Sequence, residues 1–355
     1  MRSRHGYLPS TTVTDNLLNM HNWFESMWWR NSPPPLWLRC IEPIYSAISQ
    51  IHLNIRANNV LSPPIPMISV GNITAGGSGK TPFVIWLADQ LKHQGYAPVI
   101  LCRGDGGKNK VPKQVCSDDL AKEIGDEAKM LADLSCCPVI AGSDRIAGSH
   151  MAAELGDLLI LDDGFQYRHL GRCCDLVLIP QIGVGNGHQI PAGPLREPVE
   201  SLSRADMIIR TASSSTCKPC PPLTDKTEWQ WLTKPVDIID IMQSGAAVPK
   251  SVYAVTAIAR PHRFFHDLIA TGITLAGSKA YPDHHPFNAN DVEQILNLHR
   301  DIAITAKDAV KLQALWPKDR PLWLLQQQGS AAPDLLAVIQ SYLPLPHEKS
   351  FPAST

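Results

Sequence analysis

The sequence has no excess of either charge. Lys and Arg number 32 against 33 Asp and Glu over 355 residues, so no global field draws the chain to nucleic acid or another polyanion. Any charged partner must be met by a local site. A disulfide framework is also missing. The nine cysteines include the adjacent pairs Cys136-Cys137 and Cys173-Cys174, and their odd number leaves at least one unpaired, which fits a reducing compartment. Cys217-Lys218-Pro219-Cys220 supplies half the pattern of a zinc site, yet no second Cys-x-x-Cys follows, and His262 and His266 sit far downstream in an expected helix. A linker turn is the simpler reading. No uninterrupted apolar stretch follows Arg2 and Arg4 as in a signal peptide. No later segment reaches the roughly 20 apolar residues that span a bilayer. The expectation is therefore a cytoplasmic protein that does not cross the membrane. Internal repeats and low-complexity tracts are absent too.

What is present is organised in blocks. The length suggests about two domains, each able to bury a core. Residues 1–60 hold Trp23, Trp28, Trp29 and Trp37, four of the nine tryptophans, beside Arg30, Arg39 and Arg56. Ile41, Ile44, Tyr45, Ile48, Ile51 and Ile55 then fall on one helical face, and Pro33, Pro34 and Pro35 break the region in two. Indoles beside arginines suit a membrane interface. Equally, such a helix can dock on a protein core, and periodicity alone leaves both readings open.

From Pro64 short apolar runs alternate with helical stretches. Ile65–Val70, Pro98–Cys102, Pro138–Ala141, Leu158–Leu161 and Leu176–Ile179 read as strands covered on both faces, with helices at Thr81–His93, Gly125–Leu134 and Arg145–Leu155. That series predicts an α/β fold whose core is a parallel sheet with helices on both faces. Residues 212–227 are rich in turn and breaker residues, which sets the expected boundary. Beyond it Val252–Ile258, Ile302–Thr305 and Leu322–Leu325 read as strands, and Arg263–Ala270, Val292–His299 and Asp334–Tyr342 as helices. The expected domains are an N-terminal tail with amphipathic helices (1–60), a larger α/β domain with the parallel sheet (61–222), a smaller α/β domain (223–345) and a C-terminal tail (346–355).

The first strand runs through Gly71-Asn72 into Thr74-Ala75-Gly76-Gly77-Ser78-Gly79-Lys80-Thr81. Glycines let the backbone approach phosphate oxygens, and the helix starting near Lys80 offers unpaired amides to an anion. Lys80 can reach the β and γ phosphates and the Thr81 hydroxyl can ligate magnesium, so the expected ligands are a nucleoside triphosphate and Mg2+. Thr74 stands where the strict pattern asks for glycine. Leu158-Leu159-Ile160-Leu161-Asp162-Asp163 supplies an acidic strand end of the kind that meets metal and substrate; the alternative is a helix N-cap. A nucleotide-switch GTPase would need a guanine-reading Asn/Thr-Lys-x-Asp. Thr233-Lys234-Pro235-Val236-Asp237 is one residue too long, and Asn109-Lys110-Val111-Pro112 ends without a carboxylate.

These segments resemble the tetraacyldisaccharide 4'-kinase family, which phosphorylates a lipid A precursor. The likeness runs from Ser69 to Lys311 through Ser69-Val70-Gly71-Asn72, the glycine loop to Pro82, Arg103-Gly104, Gly125-Asp126-Glu127, Asp144-Arg145, and Asp162-Asp163-Gly164-Phe165-Gln166. It continues with Pro191-Ala192-Gly193-Pro194-Leu195-Arg196-Glu197-Pro198, Ala259-Arg260-Pro261-His262-Arg263-Phe264-Phe265, Asp283-His284-His285 and Lys307-Asp308-Ala309-Val310-Lys311. The resemblance implies transfer of the ATP γ-phosphate to the 4' hydroxyl of a tetraacylated glucosamine disaccharide 1-phosphate, forming lipid IVA, at the cytoplasmic face of the bacterial inner membrane. It also implies a monotopic anchor in the tryptophan region and no nucleic-acid partner.

A sugar hydroxyl is a poor nucleophile at neutral pH and needs a proton acceptor. Asp126, with His284 to orient it, resembles the family's base pair; read alone, Asp126 is a helix cap and His284 a turn histidine. Lys80 and Arg145 are expected to offset charge near the transferring phosphate. Thr81, Asp162, Asp163 and Glu197 are the expected metal-side residues, with an Arg196–Glu197 ion pair as the alternative for the last. The chain departs from the family pattern at Asp105, where an aromatic is usual, and at Arg172-Cys173-Cys174-Asp175, where the loss of a local salt bridge is expected. Neither change touches Lys80, Thr81, Asp126, Asp162 or His284, so an active enzyme is expected rather than a scaffold with a degenerate kinase fold.

Overall fold

The computed structural model describes residues 23–346 apart from 25, 31, 108–110 and 214–220. The zinc question at Cys217 and Cys220 lies outside the described residues. Seven cysteines are described, and all are free thiols.

The first half is the expected βαβ series. β1 (Met67–Gly71), β2 (Pro98–Cys102), β5 (Leu158–Asp162), β6 (Cys174–Pro180) and β7 (Met207–Ser213) are buried at every residue. The short β3 (Lys113–Gln114) and β4 (Val139–Ala141) close one edge. Helices α2 (Lys80–His93), α3 (Ala121–Ile124), α4 (Asp126–Leu134) and α5 (Arg145–Leu155) lie between these strands in the chain, after the N-terminal α1 (Leu36–Ala57). Alternate residues of the strands serve opposite faces, as the two-residue period requires. Ile68 and Val70 pack with Phe83, Leu87 and Leu91 of α2 on one side, while Met67 packs with Leu159 and Ala152 of α5 on the other.

The second half adds β8 (Glu228–Asp240), β9 (Ser251–Thr256), α6 (Pro261–Ala270), β10 (Thr274–Ala280), α7 (Ala289–Leu296), β11 (Ile302–Ile304), α8 (Ala306–Leu312), β12 (Trp323–Ala331) and α9 (Leu335–Ser341). Among the described residues twelve strands form one sheet, in the order β10-β9-β11-β12-β8-β7-β6-β1-β5-β2-β4-β3. β8 is the joint: Glu228–Thr233 run parallel to β7, and Trp231–Asp240 pair antiparallel with β12. Its Trp231 packs edge-on to Phe83 at 5.2 Å and against Trp86 at 5.0 Å. A Cβ on Gly329 of β12 would lie 2.0 Å from the Trp231 ring, so the crossing needs glycine there.

Sequence periodicity located β2 and α5 to the residue, but not β7, β8 or β10. β8 and β10 alternate exposed and covered residues, a weaker signal than a continuous apolar run. β12 also extends beyond its expected end at Leu325 to Ala331, through Gln326, Gln327 and Gln328. The expected helix Val292–His299 lies earlier, because Asn288 forms a capping box with Asp291 and starts α7 at Ala289.

α1 begins directly after Pro35 and carries Pro43 within it. Glu42 accepts the Gln189 amide at 2.7 Å and contacts His188 Nδ1 at 2.8 Å, and Leu38 packs with Met27 and Ala192. Its outer side is Trp37, Ile41, Ile44, Ile48, Ile51 and Ile55, all exposed. The helix thus docks along one side and leaves a continuous apolar stripe on the other. Among the described residues no helix is long and apolar enough to cross a membrane.

Candidate active site

The glycine loop leaves β1 at the centre of the sheet's first half. Two elements preform it. Asn72 Nδ2 donates to the Thr74 carbonyl at 2.7 Å and to Ser78 Oγ at 3.0 Å, and Thr211 Oγ1 donates to the Ser78 carbonyl at 2.8 Å. The Ala75 amide donates to the Pro194 carbonyl at 2.7 Å, and Thr74 bridges Leu195 in antiparallel fashion. Thr74 is therefore extended, and glycine is not required at that place. The left-handed positions are Gly76 (φ 91°) and Gly79 (φ 78°). A Cβ on Gly77 would meet no atom within 4 Å, which leaves that stretch of backbone open to a ligand. A phosphate chain fits such a cradle at the start of α2.

Lys80 Nζ lies 3.1 Å from Asp163 Oδ1. Arg196 Nη1 lies 3.0 Å from the other oxygen of Asp163, and buried Arg145 donates to the Asp163 carbonyl at 3.0 Å. Burial alone would raise the Asp163 carboxyl, but Lys80, Arg196 and Arg145 hold it well below the usual carboxylate range. Asp163 also has a left-handed φ of 51°. Asp162 has the opposite fate: burial pushes it up to about 7, with Lys80 opposing and Glu127 and Asp163 adding to the rise. Neighbouring carboxylates are thus tuned apart by their surroundings.

Several expectations need correction here. No helix follows Asp163, so the pair is not an N-cap. Arg196 and Glu197 do not pair with each other; Glu197 accepts from Gln166 at 3.0 Å and from Arg204 at 2.9 Å. Nor is a salt bridge lost near Cys173, because Arg172 reaches Asp175 at 3.0 Å, three residues on instead of next door. Asp105, in place of an aromatic, pairs with Arg103 at 3.1 Å. The Thr233–Asp237 run, already too long for a guanine reader, lies inside β8.

Asp126 is the first residue of α4 and caps nothing; Gly125 is at the N-cap. Its carboxylate faces the second half of the molecule. His284 Nδ1 lies 3.4 Å from Asp126 Oδ2 although 158 residues separate them. His284 holds a φ of 62°, a conformation histidine tolerates better than most side chains, and its amide donates to the Ala257 carbonyl at the end of β9. Lys307 and Lys311, which the motif Lys307-Asp308-Ala309-Val310-Lys311 contains without assigning a role, join the pair. Lys311 Nζ is 2.7 Å from Asp126 Oδ2. Lys307 Nζ is 3.0 Å from His284 Nε2 and 3.0 Å from Asp283 Oδ1. Their four-residue spacing on one helix was the available signal. Burial works against ionisation of Asp126, yet His284 and Lys311 together keep its carboxyl below the ordinary value.

Among the described residues no three His, Cys, Asp or Glu side chains gather into a metal cage. Magnesium does not need one, since it is commonly held by one or two carboxylates together with phosphate oxygens and water. Thr81 and the uncommitted side of Asp162 fit that demand. Glu197 is buried and fully engaged by Gln166 and Arg204.

A glycine loop leaving the central strand of a parallel sheet, a lysine opening the next helix and a paired aspartate ending the adjoining strand define a P-loop nucleoside-triphosphate enzyme. The family model described as LpxK, tetraacyldisaccharide-1-P 4'-kinase, matches residues 35–344. The tetraacyldisaccharide 4'-kinase of Alkalilimnicola ehrlichii is 36% identical over 278 residues, covering 76% of this chain and 80% of the relative. That of Dechloromonas aromatica is 33% identical over 332 residues, 89% of this chain and 96% of the relative. Among solved structures, LpxK from Aquifex aeolicus in complex with ATP matches with a TM-score of 0.71 at 28% identity, covering 86% of this chain and 98% of that one. The chain belongs to the tetraacyldisaccharide 4'-kinase family and is an enzyme.

Proposed function

We propose that the protein transfers the γ-phosphate of ATP to the 4' hydroxyl of a tetraacyldisaccharide 1-phosphate, giving lipid IVA. The observation that carries this reading is the approach of His284 to Asp126 at 3.4 Å. It joins a candidate base from the glycine-loop half to an orienting imidazole from the other half, as a phosphoryl transfer to a hydroxyl requires. Asp126 accepts the hydroxyl proton while Lys80 and Arg145 balance negative charge on the transferring group. Thr81 and Asp162 would hold magnesium, which would supply positive charge to offset that of the phosphates. Asp163 keeps Lys80 extended along the loop, and Arg196 holds Asp163 in turn.

The exposed isoleucine stripe of α1 supports membrane association of the N-terminal region. Six large apolar residues on one helical face suit the interfacial zone of a bilayer. An acceptor whose acyl chains stay in lipid would then be met at the inner membrane's cytoplasmic surface. Bounds of 1–60, 61–222, 223–345 and 346–355 remain the proposed division of the chain.

The direct test is incubation of purified protein with labelled ATP and the tetraacyl disaccharide phosphate. Labelled lipid product is the expected result, and none at all would overturn the reading.

A further inference from the structure

Two lysines one turn apart on α8 grip the two members of the Asp126–His284 pair. Lys311 Nζ sits 2.7 Å from Asp126 Oδ2, and Lys307 Nζ sits 3.0 Å from His284 Nε2. An ammonium group has three donors and no acceptor. The Nε2 atom of His284 must therefore accept, and the ring proton must be on Nδ1, pointing at Asp126 Oδ2. Both grips on Asp126 land on the same oxygen, Oδ2. Among the described residues no hydrogen bond or ion pair involves Oδ1.

α8 is itself fixed from beneath. Thr305 caps it, and Asp308, buried between the two lysines in sequence, accepts from Thr256 Oγ1 at 2.7 Å, Thr305 Oγ1 at 2.7 Å and the Ala257 amide at 2.9 Å. Ala257 is the residue whose carbonyl receives the His284 amide. One buried carboxylate thus ties the helix that carries the lysines to the backbone that carries the histidine.

We propose that Lys307 and Lys311 are positioning residues that set the protonation geometry of the site. Lys307 holds His284 in the Nδ1–H tautomer, Lys311 and His284 together anchor Oδ2, and Oδ1 is left as the proton acceptor. This rests on the reading of Asp126 as the base. In the step itself the acceptor O–H bond breaks and its proton goes to Oδ1. The hydroxyl oxygen bonds to the γ-phosphorus, and the bond from that phosphorus to the bridging oxygen breaks and releases ADP. His284 donates throughout and takes no proton from the substrate. The charged groups around the ring are Asp126, Asp283 and Lys307, and those around Asp126 are His284 and Lys311.

The tautomer can be read in the resting full-length protein by nitrogen chemical shifts of isotope-labelled histidine, with His284→Gln identifying the signal. The expected signal is the neutral Nδ1–H form. Lys307→Met should move the signal away from a pure Nδ1–H form and lower kcat roughly tenfold with KM for ATP unchanged, and Lys307→Arg should restore much of both. Lys311→Met should lower kcat by a similar factor with ATP binding retained, and should lower the melting temperature because Asp126 loses its cation. An Nε2–H form in the unmodified chain, or an unmoved signal in Lys307→Met, would overturn the role of Lys307. Full kcat in Lys311→Met would overturn that of Lys311. Full turnover in Asp126→Asn would instead sink the base assignment, and the tautomer measurement, made without turnover, separates the two failures.

Discussion

Lys80 of the glycine loop and Asp163 at the end of the neighbouring strand form an ion pair at 3.1 Å, and Arg196 completes it from the far side at 3.0 Å. The loop lysine is thus aimed by a partner before any nucleotide arrives. Asp163→Asn should release it, lowering kcat on the order of 100-fold, and should cost on the order of 3 kcal/mol of stability by leaving Arg196 and Lys80 without their carboxylate. Steady-state turnover and thermal melting check the two halves of this expectation.

Asp162 predicts a pH dependence. Its carboxyl moves from 3.8 to about 7 on burial, so the folded state holds the proton more tightly than the unfolded chain. The stability this supplies is complete below about pH 4 and is lost as pH rises through about 7. The ligand-free protein should weaken across that window, and Asp162→Asn should flatten the slope. Binding of Mg-ATP needs the ionised carboxylate and should strengthen over the same range. Calorimetric titration between about pH 5 and about pH 8 tests both signs.

Asp126→Ala should reduce kcat by roughly 100-fold or more, the usual contribution of a positioned base, with ATP affinity kept. Unchanged turnover would show that the proton leaves by another route.

The α1 stripe makes a prediction about lipid. Replacing Ile44, Ile48 and Ile51 by serine should weaken partition into anionic vesicles by several-fold per residue, since each exposed side chain is worth on the order of 1 kcal/mol when buried in the interfacial zone. Deleting residues 1–36 tests the tryptophan segment separately. Equal partition of the serine variant and the parent would reject the stripe as a lipid contact.

Asp308 is buried with three hydrogen bonds to its carboxylate. Asp308→Ala should destabilise by roughly 2–4 kcal/mol, because the hydroxyls of Thr256 and Thr305 and the Ala257 amide lose their acceptor. Chemical denaturation checks the magnitude.

Most of the first half was legible because β1, β2, β4, β5 and β6 read as apolar runs between helical stretches; β7 was not, although buried throughout, because Arg210, Thr211 and Ser213 break its apolar run. The glycine loop and Asp162-Asp163 followed from that frame. The joint between the halves was hidden, since β8 and the Gln326–Gln328 stretch of β12 are partly exposed and polar in alternation. Partner choice was the other blind spot. Arg196 stands beside Glu197 in sequence yet pairs with Asp163, and Lys311 meets Asp126 from far along the chain. Such contacts depend on sheet order, which one-dimensional spacing does not encode. The Asp126–His284 contact was expected only through family likeness, and the sheet supplies its physical cause.

β8 belongs to the strand network of both halves, and this has a practical consequence for anyone wishing to cut the protein in two. Severing the chain near residues 221–227 would strip β7 of its neighbour and leave β8 with a bare rim, while severing it after β8 would orphan β12. Either fragment would offer a long unpaired row of amides and carbonyls to other chains. Fragments made in this way should precipitate when separate and recover when mixed, as two pieces of one sheet.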